Sequence, residues 1–479
     1  MKNVNWYINF LLLLFIGTAG AQEMRILKGR VTDSIPVRDS LSGTYALYIP
    51  QSVEAGKPNP VIFVFDPEGR GVHAAQLFRR VAEEQSYIVA ASNVRYSQDS
   101  LKNNLNEAFK MVGSVLQLVP VDTDMIYTAG LDEGAQVASA MPMVYKEVDG
   151  VLAVGDALFN PEYLAEENKF MFSALVSMED FQKDQLEDIV GFFEKKDFPV
   201  EIGYYSEAAG EWPEARVISN AVSGFTLQAI QQGKRPADPE FINGLFQDEL
   251  AYAERLRRTR EYYASYQKLE QLEEKYQNYE KFEDTLKQRR KELRRTRAFR
   301  KQRREIRNLK DEEQIHKEDY IYFLENDLAT ANFDNIGWWA YQVDELHRIQ
   351  KEGSLAEAQM AHRLEDFLKY FIEQRYEGVS VKNLRNIDAK IFTSVLRTVL
   401  DKENPEAYLN IIKLAGHDGD HETALLYLED LLKTGFDDME ALYNIPGILD
   451  LKLSPEYNEL IGKNLGNSKY YQAELEEVN

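Results

Sequence analysis

One turn in the sequence presents a side chain that could do chemistry. The apolar run 125–129 leads into the residues G-L-D-E-G at 130–134, and a helical pattern begins at Ala135. Glycines at both ends of such a turn let a strand pass into a helix in very little space, with the residue between them at the apex. That residue is Asp132, whose carboxylate could act as a nucleophile. Repeated turnover would also require a base that activates water.

Candidate bases are few. The chain has six histidines, and only one of them, His73, precedes residue 316. His73 follows an apolar strand pattern, and we interpret it as a surface residue of a loop rather than as a displaced base. Cysteine is absent, which excludes disulfides, thiolate metal sites and a cysteine nucleophile.

Strand and helix patterns alternate over residues 43–227. Continuous apolar runs at 61–65, 87–91 and 125–129 are typical of strands buried on both faces. Alternation with helical patterns therefore predicts an α/β domain over 22–232, with a mostly parallel sheet covered by helices on both faces. The other strand candidates are 43–50, 151–154, 172–176 and 200–205, and the helical patterns lie at 74–85, 104–119 and 214–232.

Five segments in order resemble the dienelactone-hydrolase and polyhydroxybutyrate-depolymerase-like branch of the α/β-hydrolases, over roughly residues 43–232. Besides the turn at 130–134, they are the loop 65–71, the strand end 91–93, the acid-bearing turn 180–181 and the segment 208–213. The last aligns with the family's G-G-H-E-W-P, in which the histidine is catalytic. The resemblance implies these roles: oxyanion loops at Asp66, Gly69 and Glu133, the nucleophile position at Asp132, the acid position at Asp180, and the histidine position at Gly210.

Two catalytic positions depart from this family. Asp132 stands where the family has its serine, and Gly210 stands where it has its histidine. A serine-type site needs a base that takes the proton of the nucleophile and returns it to the leaving group. Haloalkane dehalogenases and epoxide hydrolases, which use an aspartate nucleophile, still need that histidine. We therefore expect a catalytically inactive α/β-hydrolase-like domain without a cofactor.

Two routes to activity stay open in the sequence. Asp132 could serve as the nucleophile of an esterase, with His316 or His347 of the helical half as the base. Alternatively, carboxylates at the strand ends could hold Ca²⁺ or Mg²⁺, although we favour separate solvation or pairing with Arg70 and Arg95. The candidate ligands are Asp66, Asp132, Glu133, Asp156, Asp180 and Glu211.

The remainder of the chain is predicted to be helical. Residues 233–241 are expected to form a linker, 242–318 long charged helices in a hairpin or coiled coil, and 319–479 a helical repeat-like domain. Residues 405–436 resemble a tetratricopeptide-type hairpin, in which Ala415 and Ala424 allow close helix approach. Helical repeats present extended surfaces to other proteins, so we expect a protein partner here.

Charge is distributed unevenly. The chain has a net charge of −23, which disfavours nucleic acid as a partner. Segment 287–310, by contrast, holds 13 basic residues and two glutamates. We interpret it as a solvated helix whose charge pairs with the acidic remainder of the chain, or with anionic lipid or polysaccharide. Apolar spacing over 248–286 is compatible with a coiled coil and with a homodimer formed through 248–310.

The N-terminus has the features of a cleavable secretory signal over 1–21. Lys2 precedes an apolar run at 6–16, and A-G-A follows at 19–21. The run is shorter than the roughly 20 residues that span a bilayer. We expect a periplasmic or secreted protein without a transmembrane span.

Overall fold

The computed structural model describes residues 26–470 apart from 39, 41–42, 55, 98–99, 159, 161–168 and 380–383. The predicted signal segment 1–21 lies outside the described residues. The chain divides into two compact units. The first comprises Met1–Ser177, Asp184–Arg260 and Gln267–Gln288, and the second comprises Met178–Lys183, Glu261–Tyr266 and Arg289–Asn479.

An eight-stranded sheet organises the first unit. Its order is β1-β2-β4-β3-β5-β6-β7-β8; the pairs β1–β2 and β2–β4 are antiparallel and all other pairs are parallel. The sequence patterns predicted each strand except β1, which is short and mostly exposed. The strands are β1 Val31–Pro36, β2 Thr44–Tyr48, β3 Asn59–Phe65, β4 Ile88–Ser92, β5 Val121–Leu131, β6 Val148–Val154, β7 Met171–Ser177 and β8 Val200–Tyr205.

Helices cover both faces of this sheet. In β5, Tyr127 stacks on Phe225 at 4.9 Å between ring centroids, whereas the adjacent Thr128 donates a hydrogen bond to the carbonyl of Ala138. Neighbouring strand residues point to opposite faces, so the helices that carry Phe225 and Ala138 lie on opposite sides. The helices up to the linker are α1 Gly71–Leu77, α2 Arg79–Gln85, α3 Leu101–Leu118, α4 Glu133–Val144, α5 Lys183–Lys195 and α6 Ala215–Gln231.

The charged segment 242–318 differs from the predicted long hairpin or coiled coil. It contains α7 Pro239–Arg258, α8 Tyr262–Lys275, α9 Glu280–Arg295 and the start of α10. Arg260, with φ of 71°, interrupts the chain between α7 and α8. Apolar side chains of this segment pack within the first unit. Phe246 of α7, for example, stacks on Phe282 of α9 at 3.8 Å between ring centroids. Residues 242–260 and 267–288 consequently belong to the unit that contains the sheet.

The second unit is built from helices. Each helix from α11 to α14 packs against the next one in the chain. The predicted α/β class, followed by a largely helical region, is confirmed. The helices are α10 Arg297–Thr330, α11 Ile336–Glu352, α12 Leu355–Gly378, α13 Leu384–Leu400, α14 Pro405–Asp418, α15 His421–Lys433, α16 Met439–Asn444, α17 Leu449–Leu453 and α18 Pro455–Leu465.

Helices α14 and α15 form the hairpin expected at 405–436. Asn404 and Asp420 cap their N-termini, and Gly419, with φ of 85°, ends α14. Ala415 and Ala424 are completely buried, in agreement with close helix approach. Their assignment as a tetratricopeptide repeat stays a prediction. Of the helices that the structure describes, none combines the length and apolarity needed to cross a bilayer.

Candidate functional site

The turn at 130–134, here called the elbow, is sharply bent. Strand β5 ends at Leu131 and α4 begins at Glu133, so Asp132 alone makes the change of direction, with φ of 47° and ψ of −115°. Such a positive φ is unfavourable for a residue with a side chain and persists only where surrounding contacts enforce it. The Asp132 N–H donates to the Val154 carbonyl at 2.9 Å, and the Asp132 carbonyl accepts from Ala135 N at 2.8 Å.

Neither glycine of the elbow can be replaced without moving the backbone. A Cβ at Gly130 would lie 2.1 Å from the Gly134 carbonyl oxygen. A Cβ at Gly134 would lie 2.0 Å from the carbonyl oxygen of Phe65 in β3. The G-x-D-x-G spacing is therefore required by the close approach of α4 to the sheet, whatever residue stands at the apex.

Gly210 faces the elbow. A Cβ on Gly210 would lie 3.7 Å from Asp132 Oδ2, and nothing else in the described structure would lie within 4 Å of it. The position that is histidine in the family resembled here is thus next to the nucleophile position. Gly210 has φ of 76°, a conformation that glycine adopts without strain and other residues do not.

Replacing Gly210 with alanine is expected to lower the free energy of unfolding by about 1 kcal/mol, because the methyl group has space but the backbone conformation becomes strained. Urea denaturation of the two proteins measures the difference. Gly134→Ala is the contrasting variant, for which we expect a loss above roughly 4 kcal/mol, since its Cβ meets backbone. Equal losses for the two variants would contradict the open space beside Gly210.

Asp66 connects the loop after β3 to the loop that carries Gly210 through hydrogen bonds. Its carboxylate is completely buried and accepts hydrogen bonds from Trp212 Nε1 at 2.8 Å and from Arg70 Nε at 3.1 Å. Burial alone would raise the pKa of Asp66, but the hydrogen bonds from Arg70 and Trp212 outweigh it and hold the pKa below its ordinary value. The Asp66 side chain therefore has a structural role.

The loop after β3 also uses its own amides. The N–H groups of Glu68 and Arg70 donate to Asp66 Oδ1 at 2.9 and 3.2 Å, and the N–H of Gly69 donates to the Asp66 carbonyl at 3.0 Å. An oxyanion hole requires N–H groups that are directed at the substrate. These three amides are directed at Asp66, so Asp66 and Gly69 do not provide the donors that the resemblance implied.

The other edge of the elbow is acidic. Asp156, which follows β6, accepts hydrogen bonds from Gln136 Nε2 and from Ala157 N, both at 2.6 Å. Burial raises the pKa of Asp156, and the charge of Glu133 raises it further. Carboxylates at this position disfavour a developing oxyanion. Within the described residues, no three His, Asp or Glu side chains are grouped as a metal site, so the carboxylates proposed as ligands are not brought together.

The predicted acid, Asp180, and the first histidine of the chain, His73, belong to other segments than the elbow. Asp180 is nearly buried and belongs to the second unit, where its Oδ1 accepts from Gln182 N at 2.8 Å. His73 is exposed on α1, not in a loop as the sequence suggested. It is the only histidine in the sequence of the first unit, and it makes no hydrogen bond or ion pair with the described residues. The elbow of this unit thus has no imidazole partner within it.

The hydrogen bonds that hold the loop at 206–214 were not predicted from the sequence. Ser177 Oγ donates to the Glu207 carbonyl at 2.6 Å, and Glu214 N donates to Glu207 Oε1 at 3.1 Å. Trp212 adds the bond to Asp66. The segment 208–213 is identified in the sequence by its alignment with G-G-H-E-W-P, and the tryptophan of that motif is the signal for this anchor.

No family model matches the sequence, and no curated protein matches it. Hydrolases of known structure overlay on part of the chain. An esterase from Pyrobaculum calidifontis is 14% identical, with a TM-score of 0.31, over 48% of this chain and 88% of the esterase. A fungal esterase from Rhizomucor miehei is 11% identical, with a TM-score of 0.36, over 44% and 87%. S-formylglutathione hydrolase from Staphylococcus aureus is 11% identical, with a TM-score of 0.35, over 41% and 97%. At this level of likeness the site must be interpreted from the geometry of this chain itself.

Proposed function

We propose that this chain is an exported α/β-hydrolase-like protein that does not turn over esters and acts as a binding or scaffold module. The observation that carries the proposal is the glycine opposite the elbow. Gly210 stands where a catalytic base would stand, with its Cβ position 3.7 Å from the Asp132 carboxylate. The tight turn that presents residue 132 supports a hydrolase-like frame, but a backbone without a side chain at 210 cannot accept or return a proton.

The first chemical consequence concerns turnover. If Asp132 attacked a substrate, the covalent product would have to be released by water activated by a neighbouring base. Glycine at 210 cannot supply that base, and Asp156 and Glu133 add negative charge where an oxyanion would form. A carboxylate nucleophile in this position would therefore react at most once.

The binding role is assigned to the second unit. Of the 15 large apolar side chains that are exposed in the described structure, 12 belong to this unit, among them Tyr322, Tyr341 and Leu426. Exposed apolar side chains concentrated on successive packed helices favour protein recognition. We propose that this helical surface, including the tetratricopeptide-like pair α14 and α15, holds a protein partner.

The esterase assay tests the loss of chemistry. The purified chain is expected to hydrolyse p-nitrophenyl acetate no faster than buffer, and the variant with Asp132→Ser and Gly210→His is expected to gain labelling by a fluorophosphonate probe, because it regains a nucleophile and a base in the retained frame. The single variant Asp132→Ser is the control and should stay unlabelled. Sustained ester turnover by the unchanged chain, abolished by Asp132→Asn, would contradict the proposal.

A further inference from the structure

A basic surface, which we call the basic face, covers the end of α9 and the start of α10. It comprises the nine lysines and arginines between residues 291 and 307, all of them exposed. None of the nine forms an ion pair with any acidic residue in the part of the chain that the structure describes. Segment 291–307 thus carries unneutralised positive charge in a chain of net charge −23.

The helix presents these charges on one side. Phe299 and Leu309 are buried, and they mark the inner side of α10. At 100° per residue, Arg297, Arg300, Lys301, Arg304 and Arg307 fall on the opposite, outer half, and Arg303 lies just beside its edge. Glu305 is the only acidic residue in this stretch of α10, and it is half-buried and bonded to Ser354. The outer half of the helix is therefore uniformly cationic over about three turns.

Folding does not account for this arrangement. Positive charge near a helix N-terminus opposes the helix dipole, and the first turn of α10 has no acidic residue. Like charges three or four residues apart, such as Arg300 and Arg304, also repel each other. Arg300 also donates long hydrogen bonds to the carbonyls of Arg295 and Thr296, both 3.4 Å. Because the basic residues at the start of α10 oppose helix formation and have no acidic partner within the described residues, an external anion is the partner that explains them.

We propose that the basic face binds the surface of an anionic phospholipid bilayer. Seven of its nine residues are arginines, whose planar guanidinium groups match phosphate oxygens in pairs. Clusters of four to eight basic residues are typical of segments that adsorb to anionic lipids. The side chains are long and exposed, and none of them is in an ion pair with a described residue. They therefore suit a surface of mobile headgroups, which is recognised by charge density and needs no fitted cleft. This inference goes beyond the proposed function and does not depend on the loss of catalysis.

Nucleic acid fits the basic face less well. Single-stranded nucleic acid is held by stacking on aromatic side chains, and the one aromatic residue between 291 and 307, Phe299, is 2% exposed.

Vesicle flotation tests the proposal. The full chain is mixed with vesicles of phosphatidylcholine containing 30% phosphatidylglycerol, and in parallel with vesicles of phosphatidylcholine alone. We expect binding to the anionic vesicles at low salt and loss of that binding in 0.5 M NaCl. The variant R300Q/R303Q/R304Q/R307Q is expected to lower the partition coefficient more than about tenfold, since each basic residue contributes roughly fivefold. The zwitterionic vesicles report any binding by the apolar N-terminal run, which all variants share.

A matched control removes four exposed lysines from other surfaces. K102Q/K351Q/K413Q/K463Q makes the same change in net charge and should bind within about twofold of the unchanged chain. Circular dichroism verifies that both variants are folded. Two results would overturn the proposal: equal binding by the two quadruple variants, or release of the chain from anionic vesicles by an equal phosphate concentration of double-stranded DNA, which would make a free polyanion the preferred ligand.

Discussion

Replacing Glu249 with glutamine is expected to lower the free energy of unfolding of the first unit by about 3–5 kcal/mol. Glu249 of α7 is 1% exposed, and its carboxylate meets Lys268 Nζ at 2.7 Å and Lys275 Nζ at 3.2 Å. It also accepts hydrogen bonds from Ser223 Oγ and Tyr276 OH, both at 2.9 Å. Glutamine keeps the shape but removes the charge, which leaves two buried ammonium groups with Glu201 as their remaining carboxylate.

The dependence of this loss on pH follows from the pKa of Glu249. Burial alone would raise it, but the charges of Lys268 and Lys275 lower it from 4.5 to about 2. Because the folded pKa lies below the unfolded value, the stabilisation is complete above pH 4.5 and is lost as pH falls toward 2. The difference in stability between the unchanged chain and Glu249→Gln should therefore be constant near neutral pH and shrink below about pH 4.5.

Urea denaturation, with amide hydrogen exchange of α7 to identify the unit that opens, measures both effects. Glu254→Gln is the control on the same helix. Its partner Arg257, at 2.8 Å, is half exposed, so we expect a loss of about 1 kcal/mol or less. A loss below roughly 1 kcal/mol for Glu249→Gln, or one that persists unchanged at pH 3, would show that the buried cluster is not an ion-pair network.

The burial of this cluster is a feature that could not be predicted from the sequence. The continuous apolar runs at 61–65 and 125–129 predicted strands because both faces of a parallel strand are buried, and that is a local property of the chain. Glu249 and Lys268, in contrast, lie in the segment 242–318, for which the sequence predicts only long charged helices. Their burial depends on packing across α6, α7 and α8, and no local pattern records such packing.

In the candidate site, too, some features could be predicted from the sequence and others could not. The elbow could be predicted because two glycines at this spacing indicate a turn that is too tight for side chains. The structure confirms this reason, since a Cβ at Gly130 or Gly134 would collide with backbone atoms. The proximity of Gly210 to Asp132 could be inferred only from the resemblance to the hydrolase family, since the two residues are 78 positions apart in the sequence. The hydrogen bonds from the N–H groups of residues 68–70 to Asp66 were not predicted. The sequence of a loop does not reveal which acceptor each of its N–H groups contacts.

A frame of this kind can outlast its catalytic residues for a physical reason. Gly130 and Gly134 are required by the contact of α4 with β3, and that requirement is the same whether residue 132 is serine or aspartate. Residue 210 faces open space and contributes little to packing. Stability therefore preserves the elbow, whereas only catalysis would preserve a histidine at 210. Under the proposed function, a protein that binds without reacting would keep the first and lose the second.

Replacing Asp66 with asparagine is expected to lower the free energy of unfolding by about 3 kcal/mol and to loosen the loop that carries Gly210. One carboxylate serves Trp212, Arg70 and two backbone amides, and asparagine can accept only part of these bonds. Since the folded pKa of Asp66 lies below its ordinary 3.8, this stabilisation is present above that value and lost as pH falls through the folded pKa. Urea denaturation at about pH 7 and about pH 3 measures the loss and its decline.

The double variant Asp66→Asn with Trp212→Phe distinguishes the loss of the Asp66–Trp212 hydrogen bond from a general effect of removing the charge. Trp212→Phe alone removes the 2.8 Å donor and should cost about 1–2 kcal/mol. If Asp66 and Trp212 act through their shared bond, the double variant loses less than the sum of the single losses, by roughly 0.5–1.5 kcal/mol. Strictly additive losses would mean that the two loops are held independently, and the retained alignment of Gly210 with Asp132 would then need another cause.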